Sequence, residues 1–452
     1  MHRATRGVRW ASLALAVWLT ACGGGGGSSD GPAEQSCSVS ARQDWLRQYM
    51  DDWYFWYADS PRPAAAGYPD VASYFEASLF RGKAPDFPAD RWSRSESTES
   101  FNRFFGDGAT LGYGVAVAGL EVIGQPFKPL MVRGVDTLSP AAAAGVQRGD
   151  EVLALNGRST ADLIAADDFS ALTPSLAGDT LSLRLRRAGV ERTVMLTAAV
   201  FSLAPVQGAE VKFSPLGRKL GYVAVKEMIS QALGPLDRSF ANFKASGVDD
   251  VVLDMRYNGG GLVSTGATLA SYVAGARSSG RTYATLRYND KRAAVNDQSF
   301  AFDSPAAALG LRRVIVLMGR RTCSASEQVI NGLRGAGVEV LAVGETTCGK
   351  PVGFLPTSNC GQTYSVVNFE SVNALNQGRY FDGFDPNCAV AEDFSVPQGA
   401  ATDPLMAAAA HLADYGSCPA TAGDGVRALG MTRGTRAGRA VEPGERQAMI
   451  PR

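Results

Sequence analysis

The stretch VIVLMGRRTCSASEQVINGLRGAGVEVLAVGETTCGKPVGF, residues 314–354, decides the predicted fold of this chain. Residues 314–318 are a short, mostly β-branched run bounded by a glycine, which predicts a buried strand. Residues 324–333 carry helix formers and predict a helix, and residues 338–343 predict a second strand. The stretch therefore predicts an α/β domain in which Ser324 lies at the turn between the first strand and the helix.

Ser324 and Lys350 are the candidate reactive residues of this stretch. A helix start presents unpaired N–H groups and a partial positive charge, so negative charge that develops at Ser324 would be stabilised. The glycine-containing loop GETTCGK, residues 344–350, brings Lys350 back toward the same end of the sheet. Taken singly, such residues are more often a helix cap and a solvated turn lysine. Together they predict a serine that meets a lysine.

Lysine is the predicted base because histidine is scarce. The chain has two histidines, His2 and His411, which leaves almost none for a Ser-His-Asp triad. A lysine accepts a proton near neutral pH if burial lowers its pKa from about 10.4 to roughly 7 or 8, a shift worth on the order of 3 to 4 kcal/mol. The apolar residues after Lys350, including Val352 and Phe354, favour such burial.

Two motifs of this stretch resemble one protein family. TCSASE at 322–327 and GETTCGK at 344–350 are similar to motifs of the carboxyl-terminal processing peptidases, also called tail-specific proteases. The resemblance implies an α/β catalytic domain of the crotonase and ClpP-like type, with Ser324 as the nucleophile and Lys350 as the general base. It implies no cofactor and no metal.

The chain departs from the family pattern at two places. One additional residue separates the serine from the lysine, which predicts an insertion in the turn near 335–338. Many members place a glutamine four residues after the lysine to orient it, and Phe354 stands there in this chain. Glu327, one helical turn after Ser324, is the residue that some members use instead, so it is the third predicted catalytic residue. The alternative for Glu327 is a glutamate on the helix surface.

Composition and the first residues set the class of the protein. The length of 452 residues and the hydrophobic content of 45% predict a globular protein of several domains. The formal net charge is zero, so the composition shows no excess of basic residues of the kind that binds nucleic acid. Residues 1–21 read as a secretory signal peptide, because a basic start precedes a short apolar core. A transmembrane helix is the alternative, but the core is too short for a good span.

The end of the leader, Leu-Thr-Ala-Cys, resembles the bacterial lipoprotein lipobox, which implies lipidation of Cys22. Residues 22–36 are then a flexible tether. The residue after Cys22 is Gly23 rather than aspartate, and by resemblance to bacterial lipoproteins this favours sorting of the protein to the outer membrane. We therefore expect a lipid-anchored protein of the bacterial cell envelope that faces the periplasm.

The cysteines after Cys22 are even in number, which suggests disulfides in an exported chain, although 15 connectivities are possible. They are Cys37, Cys323, Cys348, Cys360, Cys388 and Cys418. If Ser324 meets Lys350, the sulfurs at 323 and 348 come close enough to bond. A zinc site is the competing idea, but no Cys-x-x-Cys motif or histidine pair supports it.

Two further domains precede the catalytic one. Residues 37–107 predict a helical domain with an aromatic core stripe, and DRWS at 90–93 resembles the family's DRFS-type motif. Residues 108–202 predict a PDZ domain, because SPAAAAGVQRGDEVLALNG at 139–157 is similar to bacterial PDZ sequences. An ordinary small β-domain is the alternative. The resemblance implies that a glycine-containing loop binds a terminal carboxylate through its N–H groups. That loop comprises Gly112, Tyr113, Gly114 and Val115.

The catalytic domain is predicted over residues 203–416. DMRYNGGGL at 254–262 resembles the family's DLRxNPGG motif, with glycine in place of proline. A phosphate-binding loop is the alternative, but no Walker lysine follows. We assign the oxyanion-hole donors to Gly260 and Gly261 together with the N–H of Ala325. Residues 417–452 lack periodicity and predict a disordered tail.

The sequence as a whole predicts a multidomain α+β fold with a helical N-terminal segment, a PDZ β-domain and an α/β catalytic domain. Its predicted function is that of a serine endopeptidase that uses a Ser-Lys dyad to cleave exported proteins after PDZ-assisted recognition of their tails. The alternative is a non-catalytic PDZ scaffold or pseudo-protease that binds tails and has lost activity with the missing glutamine.

Overall fold

A computed structural model describes residues 37–118, 130–166, 168–420 and 447–451. The predicted signal peptide, the tether, Cys22 and most of the predicted tail lie outside these residues. The described residues from Ser38 onward form one compact unit. In the part of the chain that the structure describes, no helix is both long enough and apolar enough to cross a membrane.

The N-terminal region is helical and begins with well-capped helices. Its elements are α1 (Val39–Trp53), α2 (Val71–Ser78), β1 (Arg94–Ser97) and α3 (Thr98–Phe105). The Asp70 carboxylate accepts a hydrogen bond from the Ser73 N–H at 2.7 Å and so caps α2. Helix α3 starts only at Thr98, because Arg94–Ser97 pair as a strand with residues Gln362–Ser365 of the catalytic region.

The helical region shares its core with the catalytic domain. Tyr54, Phe80 and Trp92 of the N-terminal region pack in one cluster with Val352 and Phe354, which follow the candidate base. The predicted aromatic stripe therefore forms core, and this core is also the wall behind Lys350.

The PDZ region is a small antiparallel β-domain. Its elements are β2 (Ala109–Gly112), β3 (Val115–Ala118), β4 (Leu130–Val135), α4 (Pro140–Ala143), β5 (Glu151–Leu155), β6 (Arg158–Ser159), α5 (Thr160–Ala166), β7 (Thr180–Arg187), β8 (Val190–Thr197) and β9 (Ala199–Ser202). The sheet order is β3-β4-β5-β7-β8, with β6 paired to β5. Strand β3 therefore lies at an edge, where a peptide strand can add.

The catalytic region is built on a mostly parallel sheet of order β10-β11-β12-β16-β17-β22. The strands are β10 (Val206–Phe213), β11 (Lys219–Val225), β12 (Asp250–Asp254), β16 (Arg313–Met318), β17 (Glu339–Gly344) and β22 (Cys388–Ala389). Only β10 is antiparallel to its neighbour in this sheet. The apolar strands are buried on both faces, as expected for a parallel sheet covered by helices.

Helices cover both faces of this sheet. They are α6 (Leu233–Ser246), α7 (Val263–Ala274), α9 (Ala325–Gly335) and α10 (Pro404–Tyr415), whereas the short helix α8 (Ala293–Asn296) has no buried residue and does not cover this sheet. Helices α6, α7 and α9 pack in the core on one face, and α10 packs in the core on the other. Because β12 and β16 are parallel neighbours, the loops after both strands meet at one edge of the sheet.

Two smaller sheets complete the catalytic region. Their strands are β14 (Thr282–Tyr288), β15 (Gln298–Ala301), β18 (Val352–Phe354), β19 (Thr357–Asn359), β20 (Gln362–Ser365) and β21 (Val367–Val372). One sheet has the order β15-β14-β21-β18 and the other β1-β20-β19. The chain passes from one of these sheets to the other at Val366, where β20 ends and β21 begins.

The predicted disordered tail is wrong for its last described residues. Strand β23 (Ala448–Ile450) pairs in parallel with β13 (Gly260–Leu262), the glycine-rich segment of the catalytic region. All three of its residues are buried. The predicted fold class is otherwise confirmed, with a helical N-terminal segment, a PDZ β-domain and an α/β domain.

Candidate active site

Ser324 lies between β16 and α9 in a strained backbone conformation. Its φ of 63° and ψ of −118° are unusual for a residue with a side chain, and such conformations cost on the order of 1 to 3 kcal/mol. The residue is fully buried, and among the described residues its Oγ has no hydrogen-bond partner. A buried hydroxyl normally finds a partner, and a role as nucleophile would explain this exception, so that role stays a prediction.

Lys350 is also fully buried, on the loop between β17 and β18. Its Nζ donates a hydrogen bond to the Gln447 carbonyl oxygen at 2.6 Å and lies 3.8 Å from the centre of the Phe354 ring. Phe354 thus occupies the space beside the amine where the family resemblance predicts a glutamine. Burial holds the pKa of Lys350 well below its usual range, and the positive charge of Arg94 lowers it further.

Glu327 connects the backbones of both candidate residues. Its Oε2 accepts hydrogen bonds from the Ser324 N–H at 2.9 Å and the Lys350 N–H at 2.8 Å. Its Oε1 accepts from the Thr347 hydroxyl at 2.6 Å and the Gly349 N–H at 2.8 Å. The carboxylate is completely buried, so the alternative of a surface glutamate is wrong. Glu327 fixes the backbone of Lys350 and makes no hydrogen bond to its amine.

The protonation state of Glu327 reflects two opposing effects. Burial is the larger effect and raises the pKa of its carboxyl group above the usual value, while the hydrogen bonds from Thr347, Lys350, Ser324 and Gly349 oppose this rise. Four donors converge on two oxygens, which is the arrangement that a carboxylate satisfies best.

A disulfide links the residues next to the candidate dyad. Cys323 and Cys348 are bonded, with their Cα atoms 5.2 Å apart. Their sulfur atoms and a Glu327 oxygen lie within 4.8 Å of one another, but sulfurs joined in a disulfide are not thiolate ligands for a metal. A second disulfide joins Cys388 to Cys418. The remaining two described cysteines, at positions 37 and 360, are disulfide-bonded as well.

The glycine-rich segment after β12 faces the start of α9. Gly260 and Gly261 have φ values of 102° and 140°, which favour glycine, and a Cβ at Gly260 would lie only 2.9 Å from the Ala325 nitrogen. The Gly260 N–H donates to the Asn258 side-chain oxygen at 2.9 Å, so it is already used. The prediction of Gly260 as a donor is therefore wrong for this structure. Gly261 and Ala325 stay predicted donors.

The predicted peptide loop of the PDZ domain lies between β2 and β3, at the edge of the PDZ sheet. Gly112 ends β2 and Val115 begins β3, and Tyr113 between them is buried. The Tyr113 carbonyl oxygen accepts a hydrogen bond from the Ala141 N–H at 2.9 Å. Gly114 has a φ of 72°, and a Cβ there would collide with the Ser139 side chain. The loop conformation therefore requires glycine, although carboxylate binding stays a prediction.

Sequence reasoning missed Arg94. Its Nη1 donates to the Gln447 carbonyl oxygen at 2.7 Å, the same atom that Lys350 contacts. Its guanidinium carbon lies 5.3 Å from the centre of the Phe354 ring. The available signal was its position directly after the DRWS motif, since Asp90 of that motif also raises the pKa of Lys350 through its charge.

The lowered pKa of Lys350 predicts the pH dependence of hydrolysis. Only a neutral amine accepts a proton, so kcat/KM should rise with pH through the lysine pKa and level off well below pH 10.5. Arg94→Gln removes a positive charge that lowers this pKa, and it should move the midpoint to higher pH. Rates from pH 5 to 10 test both statements. A profile that falls over this range, or a midpoint that moves to lower pH in Arg94→Gln, would contradict them.

Comparisons with known proteins agree with this arrangement. Residues 219–381 match the model of peptidase family S41, residues 41–94 match the peptidase S41 N-terminal domain, and residues 131–187 match a PDZ domain. A carboxyl-terminal-processing protease from Picosynechococcus sp. is 30% identical over 214 residues, which are 47% of this chain and 48% of that protein. The chain spans about half the length of the curated relatives it matches.

Solved structures show the same fold. A structure from Bacteroides fragilis NCTC 9343 that is assigned to the S41 proteases has a TM-score of 0.64 and 27% identity, and it covers 82% of this chain and 97% of its own. The photosystem II D1 C-terminal processing protease has a TM-score of 0.50 at 20% identity, over 79% of this chain and 94% of its own, and supports the fold alone. The chain is therefore similar to peptidase family S41 over residues 219–381, to the N-terminal domain of that family over residues 41–94 and to a PDZ domain over residues 131–187.

Proposed function

We propose that this protein is a serine endopeptidase of the carboxyl-terminal processing type, in which Ser324 is the nucleophile and Lys350 the general base. One observation carries the assignment of the dyad. A single buried oxygen, Glu327 Oε2, binds the backbone N–H groups of both residues, and so holds a strained serine and a buried lysine in one fixed frame. Such a frame is what covalent catalysis by a serine requires.

The proposed mechanism follows from the chemistry of these groups. Ser324 Oγ attacks the peptide carbonyl carbon while neutral Lys350 takes the hydroxyl proton. The N–H groups of Gly261 and Ala325 stabilise the oxyanion, and the start of α9 adds a partial positive charge. Lys350 then gives the proton to the leaving amine as the C–N bond breaks. Water, deprotonated by the same lysine, attacks the acyl carbon, the bond from this carbon to Ser324 Oγ breaks, and Lys350 returns the proton to the serine oxygen as the second product leaves.

Covalent labelling separates this enzyme from a scaffold with a lost active site. A fluorophosphonate probe should label the parent at Ser324 and leave Ser324→Ala unlabelled. Ser299→Ala, at an exposed serine of β15, is the matched control and should label like the parent. Absence of labelling in a folded parent protein even after prolonged exposure to the probe, whether or not the protein binds peptides, would favour the pseudo-protease.

We further propose that the PDZ domain recognises the carboxyl ends of protein substrates. The edge position of β3 and the glycine conformation at Gly114 support this proposal. A charge-assisted hydrogen bond contributes roughly 1.5 to 3 kcal/mol, so amidation of a bound peptide's end should weaken binding by about tenfold or more.

Binding of one peptide, with a free or an amidated end, to the full-length Ser324→Ala chain measures this effect without cleavage. Gly114→Ala, which would force a Cβ against Ser139, should remove the difference between the two peptides. Equal binding of both peptides by the Ser324→Ala chain would show that the domain does not recognise tails.

We propose that the protein is exported and lipid-anchored at Cys22, on the periplasmic face of the outer membrane. The leader sequence supports this proposal, and so does the oxidised state of every described cysteine, because disulfides persist in oxidising compartments. Cys22→Ser should move the protein from the membrane fraction to the soluble fraction of the cell envelope. An unchanged distribution between the two fractions would contradict the anchor.

A further inference from the structure

Strand β23 occupies the space beside the candidate oxyanion hole. Its Ala448 N–H donates to the Gly259 carbonyl oxygen at 3.1 Å, and the parallel register pairs Ala448 with Gly260 and Met449 with Gly261. This register sets the Gly261 N–H opposite the Ala448 carbonyl oxygen. A carbonyl of the chain itself thus stands at a predicted oxyanion donor.

The other side of this segment faces the candidate base. The Gln447 carbonyl oxygen accepts hydrogen bonds from Lys350 Nζ at 2.6 Å and from Arg94 Nη1 at 2.7 Å. A Cβ at Gly353 of β18 would lie 2.2 Å from the Phe369 ring and 2.6 Å from the Met449 carbonyl oxygen, so glycine at this position leaves room for both the ring and the segment. The segment therefore runs between β13 and β18, directly between the oxyanion loop and the loop that carries Lys350.

The side chains of the segment fill apolar space. Met449 is completely buried in the main core cluster, and Ala448 and Ile450 pack with Phe101 and Phe105 in a separate cluster. An extended peptide that pairs with a strand through its backbone and buries its side chains has the form in which peptidase clefts commonly hold a substrate.

The site is closed to other peptides in this state. The Lys350 amine donates to Gln447, while Ser324 Oγ has no hydrogen-bond partner among the described residues, so nucleophile and base are not joined by a hydrogen bond. Residues 447–451 fill the cleft, and the hydrogen bond along which the Ser324 proton would pass to Lys350 is not formed.

We propose that residues 447–451 are an autoinhibitory strand that occupies the substrate cleft of their own chain, and that they report the class of peptide the cleft accepts. That class is an extended segment in which alanine precedes two apolar residues. The inference rests on the proposed function, because inhibition has meaning only for an active peptidase. Where the strand lies does not depend on peptidase activity, so its position is tested by a separate experiment.

Hydrogen exchange tests the position without any catalysis. In the full-length Ser324→Ala chain, the amides of Ala448 and Ile450 should exchange at least about 100-fold more slowly than in an unstructured peptide, because both lie in the β13 ladder. Adding Met449→Asp, which places a charge in a buried site, should remove this protection. Fast exchange in Ser324→Ala itself would overturn the proposal.

Hydrolysis of an added fluorogenic peptide tests inhibition. Met449→Asp should raise kcat/KM at least about tenfold above the parent, since the cleft is then open. Met195→Asp, the same change at a methionine of the PDZ domain that is 62% exposed, is the matched control and should leave the rate unchanged. The synthetic peptide QAMIP, residues 447–451, should inhibit Met449→Asp competitively, and a version with proline for alanine should inhibit less, because it lacks the N–H that binds Gly259.

The outcomes are distinguishable. Protected amides together with a Met449→Asp rate no higher than that of the parent would show a structural strand and overturn autoinhibition. If Met449→Asp fails to fold, Ala448→Pro in the full chain serves as the second variant with the same expected gain. A folded, unprotected Met449→Asp chain that no fluorophosphonate labels would instead contradict the proposed function, while the exchange data would still decide where the strand lies.

Discussion

Lys350→Met is expected to abolish peptide hydrolysis and to stabilise the protein. Loss of a base that acts as a unit with its serine typically lowers catalysis by about 10⁴-fold or more. Methionine has a similar length and no charge, so it fills the site beside Phe354 without the cost of burying an amine. Replacement of buried charged groups by apolar residues often stabilises, and we expect a gain of about 1 to 3 kcal/mol at pH 7.

The gain in stability should depend on pH with a definite sign. Burial lowers the pKa of Lys350 in the folded state, so between that lowered pKa and about 10.5 the unfolded chain binds more protons than the folded chain. The stability of the parent therefore rises with pH in this window, and the advantage of Lys350→Met shrinks. Chemical denaturation at pH 7 and pH 10 measures the difference. Lys244→Met, at an exposed lysine, is the matched control. Retained hydrolysis in Lys350→Met would remove the lysine from the dyad.

Glu327→Gln should reduce both hydrolysis and stability. Four donors point at the two carboxylate oxygens, and an amide replaces one of these oxygens by an NH₂ group that faces donors. Unsatisfied buried donors cost about 1 to 3 kcal/mol each, so a loss of roughly 2 to 4 kcal/mol is expected. Because the backbones of Ser324 and Lys350 then lose their common anchor, we expect kcat to fall about 100-fold.

The matched control is Glu339→Gln, at an exposed glutamate of β17, which should change neither quantity. Thermal unfolding and steady-state kinetics on both variants provide the readouts. A Glu327→Gln protein that turns over substrate at the parental rate would show that the carboxylate has no part in positioning the dyad.

The catalytic core was predictable because its signals are local. The β-branched run before Ser324 and the helix formers after it predict a strand, a turn and a helix, and the structure has Arg313–Met318 and Ala325–Gly335. The return of the chain to the same edge of a parallel sheet also follows from the order of elements. These two facts predict that Ser324 and Lys350 lie near each other, and in the structure the backbone N–H groups of both bind one oxygen of Glu327.

The features that escaped prediction depend on distant contacts. Strand β23 is only Ala448–Ile450, too short for a periodic pattern, and it is defined by partners nearly 190 positions earlier in the chain. The Gly260 N–H donates its hydrogen bond to the Asn258 side chain, and the sequence of a glycine-rich motif does not show which acceptor such an N–H will have. Arg94 reaches the site through the pairing of β1 with β20, which joins the N-terminal and catalytic regions.

The disulfide between Cys323 and Cys348 makes the structure of the site depend on the redox state of the compartment that holds the protein. It joins the residue before the nucleophile to a residue two positions before the base, so it becomes part of the catalytic frame only after oxidation. A chain just synthesised in a reducing cytosol keeps both thiols, and its dyad is held by hydrogen bonds alone. Under the proposed export, the site would gain this crosslink only after the change of compartment, and proteins in the cytosol would meet a less rigid form of the peptidase than proteins outside it.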